Sequence, residues 1–336
     1  MSGDGARRRR KSTRDGTSEM FPDGPVPGRG PEPDPRVGLG SGPGHPSPAP
    51  GRMLRVDGVV LHLLREGSGP VCVLSGGLGM SWFDWDAVAA RLAPHRTVVR
   101  FDRPGLGLSA PAQEPPTATG EAARIAHVLD TLGLPGPCTV VGHSLAAFHA
   151  EAFARLYPDR AAGIVLADGS VEEDPRPLLP RTVRTAWAGG LASVLSAAGV
   201  PRALGPAARR LTTRVLTVRD HPRDPYEAEA YRTSRVLRAC ALENATYAYQ
   251  AAEVAALRPD RPLQGVPVTV LAAYDGSETP RELRWLERQR ALATQLGGTF
   301  AIAAPAGHLV MADAPDAVAT AVLSLTPDLE DPQRGR

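Results

Sequence analysis

Val140-Val141-Gly142-His143-Ser144-Leu145-Ala146 is the stretch that decides the fold. It follows an apolar, β-branched segment (138–141) and opens a segment (145–156) whose apolar residues recur at helical spacing. A serine passed directly from strand to helix must sit in a very tight turn. Small residues two places before and two after it let the turn close against neighbouring backbone. Gly142 meets the first requirement; Ala146 stands at the second, where glycine is commoner. Such a turn pushes the Ser144 hydroxyl out beyond the sheet edge at a helix N-terminus, where the dipole favours developing negative charge. An ordinary N-cap serine would occupy the same place, so the surroundings must decide.

Outward from that turn, strand-like and helix-like segments alternate. Residues 56–64 (turning at Asp57-Gly58), 71–74, 97–101, 138–141 and 163–167 read as strands. Residues 82–92, with Ser81 as N-cap, 121–132 and 145–156 read as helices. This alternation predicts βαβ units and an α/β fold: a mostly parallel central sheet flanked by helices. The rhythm stops near Val171 and returns near Gly265, with a strand at 268–272, a helix at 280–296, a strand at 299–303 and a helix at 315–325. The expected organisation is one α/β core in two parts, 51–170 and 265–326, with a helical cap inserted over 171–264. A flexible C-terminus is expected over 327–336. The uncharged run 185–201 has 17 residues and carries Gly, Ser and Pro. It reads as a buried or lid helix, and no membrane span is expected.

The chain has 336 residues, 42% of them hydrophobic, which suffices for a sizeable core. Lys+Arg is 38 against Asp+Glu 36, a balance that excludes a strongly basic nucleic-acid binder. Lys11 is the single lysine. Of the first 50 residues, 20 are Gly or Pro, and apolar periodicity is nearly absent. They read as a disordered Gly/Pro/Arg-rich tail. Arg7-Arg8-Arg9-Arg10-Lys11 is followed by polar residues, so it is no twin-arginine export signal. Cys72, Cys138 and Cys240 are odd in number and lack framework spacing, which predicts reduced thiols and a cytoplasmic protein. No cluster has metal-ligand spacing, and the glycine-rich run 76–79 lacks a nucleotide-binding pattern. No metal and no cofactor are expected.

Four segments together carry a resemblance: Leu74-Ser75-Gly76-Gly77-Leu78-Gly79, Phe101-Asp102-Arg103-Pro104-Gly105-Leu106-Gly107-Leu108-Ser109, Gly142–Ala146, and Ala306-Gly307-His308. From Val56 to about Leu325 the chain resembles an α/β-hydrolase-fold serine hydrolase with a helical cap. The resemblance implies an oxyanion hole built from the backbone N–H groups of Gly77 and Leu145. Ser75 stands where the family often has histidine. Asp102 reads as a structural turn residue. The order Ser…acid…His used by this fold makes His308, in the loop after the last strand, the candidate base for Ser144. A neutral imidazole can take the hydroxyl proton and return it to a leaving group. The acid stays open between two positions. Asp168 follows the strand 163–167, where a minority of the family keeps its acid. Asp275 follows the strand 268–272 but falls one residue before the usual family position, occupied here by Gly276. A one-residue shift at a strand end reverses side-chain direction. Asp168 is preferred, Asp275 is the alternative, and Glu278 stands behind both.

His143 could line a pocket, and His149 reads as a packing residue. Arg232, Arg235 and Arg238 read as a solvated face, and Trp187, Tyr226, Tyr231, Tyr247 and Tyr249 as pocket lining or cap packing. The expected function is cleavage of a small acyl substrate (ester, lactone or thioester) through an acyl-enzyme. The alternatives are other triad chemistry on this fold, such as a carbon–carbon hydrolase, aminopeptidase or cofactor-free perhydrolase, and a non-catalytic ligand-binding protein. A small-molecule substrate is the expected partner, with no nucleic acid; the oligomeric state is left open. A serine at the turn argues against epoxide hydrolase activity, which relatives perform with aspartate there.

Overall fold

A computed structural model describes residues 49–111 and 113–325. The tail expected over 1–50 lies outside the described residues except for Ala49 and Pro50, and so does 327–336. The strands are β1 (Arg52–Val56), β2 (Val59–Glu66), β3 (Val71–Ser75), β4 (Thr97–Phe101), β5 (Cys138–His143), β6 (Ala161–Ala167), β7 (Val268–Ala273) and β8 (Thr299–Ala303). They form one sheet in the order β1-β2-β4-β3-β5-β6-β7-β8. β1 and β2 pair antiparallel, as do β2 and β4, while every pair from β4 through β3 to β8 is parallel. The order reverses around β3, which puts the ends of β3 and β5 side by side, where this type of sheet opens its ligand crevice.

The helices are α1 (Asp86–Leu92), α2 (Ala118–Thr131), α3 (Ala146–Leu156), α4 (Arg181–Ala197), α5 (Val200–Leu216), α6 (Glu227–Tyr231), α7 (Ser234–Leu257), α8 (Pro280–Gln295), α9 (Val310–Asp313) and α10 (Pro315–Ser324). One core layer joins the sheet to α2, α3, α8 and the end of α7 through Ile125, Phe148, Phe153, Leu292 and Val254. The other joins it to α1, α9 and α10 through Trp85, Leu92, Val310 and Val322. Strands covered on both faces read as continuous apolar runs. Val73, Val140, Ile164 and Val270 are all fully buried.

Four helices, α4 to α7, stand between β6 and β7. The uncharged run 185–201 is not one helix. Gly199, at φ 74°, breaks it into the end of α4 and the start of α5. Nor is it buried: Trp187 is 78% exposed. The absence of charge along the run reflects a surface face, not a core. Of the arginines read as a solvated face, Arg232 and Arg238 are exposed, and the reading of Arg235 needs correction. Arg235 donates to the carbonyls of Gly107 and Leu106 and contacts that of Ser109, so it ties α7 to the turn after β4. Cys72 and Cys138 are buried free thiols on the adjacent strands β3 and β5.

Candidate active site

The turn after β5 supplies the serine. Ser144 has φ 50°, a left-handed conformation that costs a non-glycine residue energy and persists only where surroundings impose it. Here they do. A Cβ on Gly142 would come within 2.2 Å of the Ala146 carbonyl oxygen. The Ser144 amide donates to the Ala167 carbonyl at 3.3 Å, and its own carbonyl accepts from Ser170 at 3.0 Å. The chain leaving β6 therefore wraps the turn that leaves β5.

Ser144 Oγ lies 3.0 Å from His308 Nε2. On the other side of the ring, Nδ1 lies 2.6 Å from Asp168 Oδ2. A carboxylate only accepts, so Nδ1 carries the hydrogen, and Nε2 is left to accept from the serine hydroxyl. Asp168 is buried and also takes positive φ, at 44°. Its second oxygen, Oδ1, accepts from the Ala273 amide at 2.9 Å and from the Trp285 indole at 2.8 Å. Both oxygens are thus engaged, and Oδ2 is held for the imidazole. Asp275 is elsewhere. It is exposed, and its Oδ1 accepts from the Ser277 amide at 2.7 Å. That hydrogen bond holds its carboxyl below the usual range. The structure brings Asp168 to His308 and leaves Asp275 at the surface. Glu278 is exposed as well.

His143 does not line an open pocket. It is buried, and its Nε2 donates to the His308 carbonyl at 2.7 Å. Burial, with the neighbouring His308 ring, pushes its pKa well below the ordinary histidine value. His149 is buried, and its Nε2 donates to Gln250 Oε1 at 2.7 Å. Asp102 is fully buried; its oxygens accept from the Trp82 and Leu108 amides and face His62 Nδ1. This is a structural turn anchor.

Gly77 is pressed against the serine. A Cβ there would come 2.9 Å from Ser144 Cβ and 2.7 Å from His143 Nδ1. Its amide donates to Met80 Sδ at 3.1 Å. Leu145, the residue after the serine, is buried and opens α3. The loop 76–79 is clamped from outside. Arg103 donates through Nη2 to the Gly77 carbonyl at 2.7 Å and contacts the Gly76 carbonyl through Nη1. Its Nε donates to Glu243 Oε1 at 2.7 Å, and Glu243 Oε2 accepts from the Gly79 amide at 2.8 Å. Tyr231 donates to the Gly79 carbonyl at 2.6 Å. The His308 loop is gripped in the same way: Leu309 donates to the Leu216 carbonyl at 3.0 Å, and Gly307 to Asp313 Oδ2 at 2.8 Å. Trp285 and Glu243 are the site residues that sequence reading did not single out; it gives Tyr231 only as pocket lining or cap packing, not as a hydrogen-bond donor to the glycine loop. Each lies on a helix far along the chain, and no local pattern marks it.

Two cavities flank this arrangement. One of about 560 Å³ is bounded by Arg103, Glu121, Ser193 and Glu243. Another of about 810 Å³ touches Asp168, Trp285 and His308. Among the described residues no cluster could hold a metal ion, and no helix is long and apolar enough to cross a membrane.

A serine, histidine and carboxylate in hydrogen-bonded series on a mostly parallel sheet place the molecule among α/β hydrolases. The comparison with known proteins agrees: the profile of the alpha/beta hydrolase family matches residues 59–321, and the chain belongs to that family. A human (Lyso)-N-acylphosphatidylethanolamine lipase is 34% identical over 140 residues, 39% of each chain. Epoxide hydrolase B of Mycobacterium tuberculosis is 32% identical over 121 residues, 34% of each chain. The matches thus span little more than a third of the length of these curated relatives. Among solved structures, Cfl2 from Burkholderia cenocepacia superposes with TM-score 0.65 at 22% identity, covering 82% of this chain and 95% of that one. The enol-lactonase from Burkholderia xenovorans LB400 gives 0.56 at 23% identity, covering 82% and 99%. These likenesses concern the fold.

Proposed function

We propose that the protein is a serine hydrolase of small acyl substrates, namely esters, lactones or thioesters, working through an acyl-enzyme. The observation that carries this reading is the series Ser144 Oγ, His308, Asp168, with separations of 3.0 and 2.6 Å. The Ser144 oxygen attacks the substrate carbonyl carbon while its proton passes to His308 Nε2. Asp168 orients the imidazole and stabilises its charged form. The tetrahedral oxyanion is received by the Leu145 and Gly77 amides, donors that are each worth about 100- to 1000-fold in rate. The Gly77 amide must then exchange Met80 Sδ for the oxyanion, and a thioether is a weak acceptor that an alkoxide displaces. The carbon–heteroatom bond breaks as His308 returns its proton to the leaving group. Water then gives a proton to His308 and adds to the acyl carbon, releasing the acid and restoring Ser144.

In this reading α4 to α7 act as the cap over the site. The named activity of the epoxide hydrolase relative does not transfer, because Ser144 stands where relatives with that activity use aspartate. The test is intact-mass analysis after exposure to a fluorophosphonate. A single adduct on the native chain and none on Ser144→Ala supports the reading, and an ester, lactone and thioester panel follows. A folded native chain that takes no adduct overturns it.

A further inference from the structure

The inserted helices carry an apolar face that none of the other described residues covers. On α4, Val183, Trp187, Leu191 and Val194 are all exposed, Trp187 at 78% and Val194 at 66%. Their spacing of four, four and three residues puts them within one stripe of the helix. On α5, Leu204, Leu211 and Val215 repeat the pattern, and Val215 is 73% exposed. Single exposed apolar residues need no explanation, but aligned stripes on two successive helices do. Between α4 and α7 the first stripe borders an apolar groove of about 590 Å³, lined by Val183, Trp187, Leu191, Leu195 and Leu237.

The charge pattern indicates what the stripes meet. Residues 181–219 contain seven arginines and no acidic residue. Arg209 turns inward to Asp84, and Arg181 donates to the Pro115 carbonyl. Arg184, Arg210 and Arg214 each adjoin a stripe residue in sequence, about 100° around the helix from it. An apolar stripe with an aromatic, on helices whose charged residues are all arginines, is the pattern of a helix lying in a lipid–water interface, apolar side among acyl chains and guanidinium groups among phosphates. A protein partner would need complementary acidic groups, and a second copy of this surface would oppose arginine to arginine.

We infer that α4 and α5 form a docking surface for an anionic lipid interface. This is independent of the hydrolase reading, since docking requires no turnover. It also places the inserted helices, and the cavities beneath them, at the surface from which a lipid-borne acyl substrate would enter.

The experiment is flotation of the full-length chain with vesicles of phosphatidylcholine alone and with about 30% phosphatidylglycerol added. The expected result is binding to the anionic vesicles that weakens with added salt, with little binding to phosphatidylcholine alone. Trp187→Glu and Leu191→Glu, on the exposed stripe, should each lower anionic-vesicle binding about tenfold or more. Arg210→Gln with Arg214→Gln should lower it severalfold and flatten its salt dependence. Circular dichroism and hydrolysis of a short soluble ester, if that activity exists, should be unchanged in all of these. Absence of binding to anionic vesicles overturns the inference. So does binding that survives both stripe variants, which would assign it to the basic run Arg7–Lys11. A native dimer that Trp187→Glu converts to monomer, without vesicle binding, would assign the face to self-association instead.

Discussion

Two strand ends invite comparison, because each offers an aspartate followed by glycine. Asp168-Gly169 leaves β6 and Asp275-Gly276 leaves β7, its immediate neighbour in the sheet. Asp168 turns inward at positive φ, is buried, and has both oxygens engaged by a backbone amide, an indole and an imidazole. Asp275 turns outward and closes a small turn on Ser277. The residue type is the same and the strands are adjacent. What separates them is burial together with donors that arrive from elsewhere in the chain. A carboxylate taken out of water must be met by hydrogen-bond donors, and those donors also fix its direction.

Substitutions can break or sharpen this contrast. Asp168→Asn should cost the most, about 10³- to 10⁴-fold in kcat, because the imidazole loses the partner that sets its tautomer. An effect below tenfold in steady-state assays would return the acid to Asp275. Glu243 extends the contrast to a second buried carboxylate. Glu243→Ala leaves Arg103 buried without its counter-charge and should lower unfolding free energy by about 3–5 kcal/mol, read by urea denaturation. It should also reduce kcat more than it raises KM, since the Gly77 amide loses its fixed mounting.

Buried neutral histidines carry the contrast into pH. Burial lowers the His149 pKa to about 3, against 6.5 when unfolded. Below pH 6.5 the unfolded chain binds a proton that the folded chain does not, so stability falls as pH drops through that window. The slope per such histidine is about 1.4 kcal/mol per pH unit. His149→Gln should therefore flatten the unfolding free energy between about pH 6 and 4 by roughly 1 kcal/mol per unit. An unchanged slope would mean that His149 is protonated in the fold. Trp285→Phe removes one donor from buried Asp168 and should cost kcat about tenfold and unfolding free energy about 1–3 kcal/mol, the cost of leaving a buried acceptor short of one donor. Asp275→Asn should change kcat by less than about twofold, the range of exposed substitutions away from a site.

The strand-turn-helix around Ser144, the alternation on both sides of it and the break after Val171 were legible because they are local: periodicity, small residues and turn residues lie within a few positions of each other. The choice between Asp168 and Asp275 was not, since side-chain direction at a strand end depends on the register with the next strand. Trp285 and Glu243 were invisible, and the bond from Tyr231 was unforeseen, for a related reason. Their bonds to Asp168 and Gly79 cross 117, 164 and 152 residues of sequence. The exposure of Trp187 was misread because an uncharged, apolar helix can face a core, a lipid surface or another protein with the same spacing.

The grip of the inserted helices on the two loops has a consequence for how the molecule can change. Glu243 and Tyr231 hold the glycine loop, and the Leu216 carbonyl holds the loop of His308. The inserted segment is thus also the scaffold on which the proposed reacting groups are mounted. Exchanging it wholesale for other helices would remove three anchors at once. New specificities on this chain are therefore reached by residue-by-residue change within the insertion, with Tyr231, Glu243 and the Leu216 backbone kept in place.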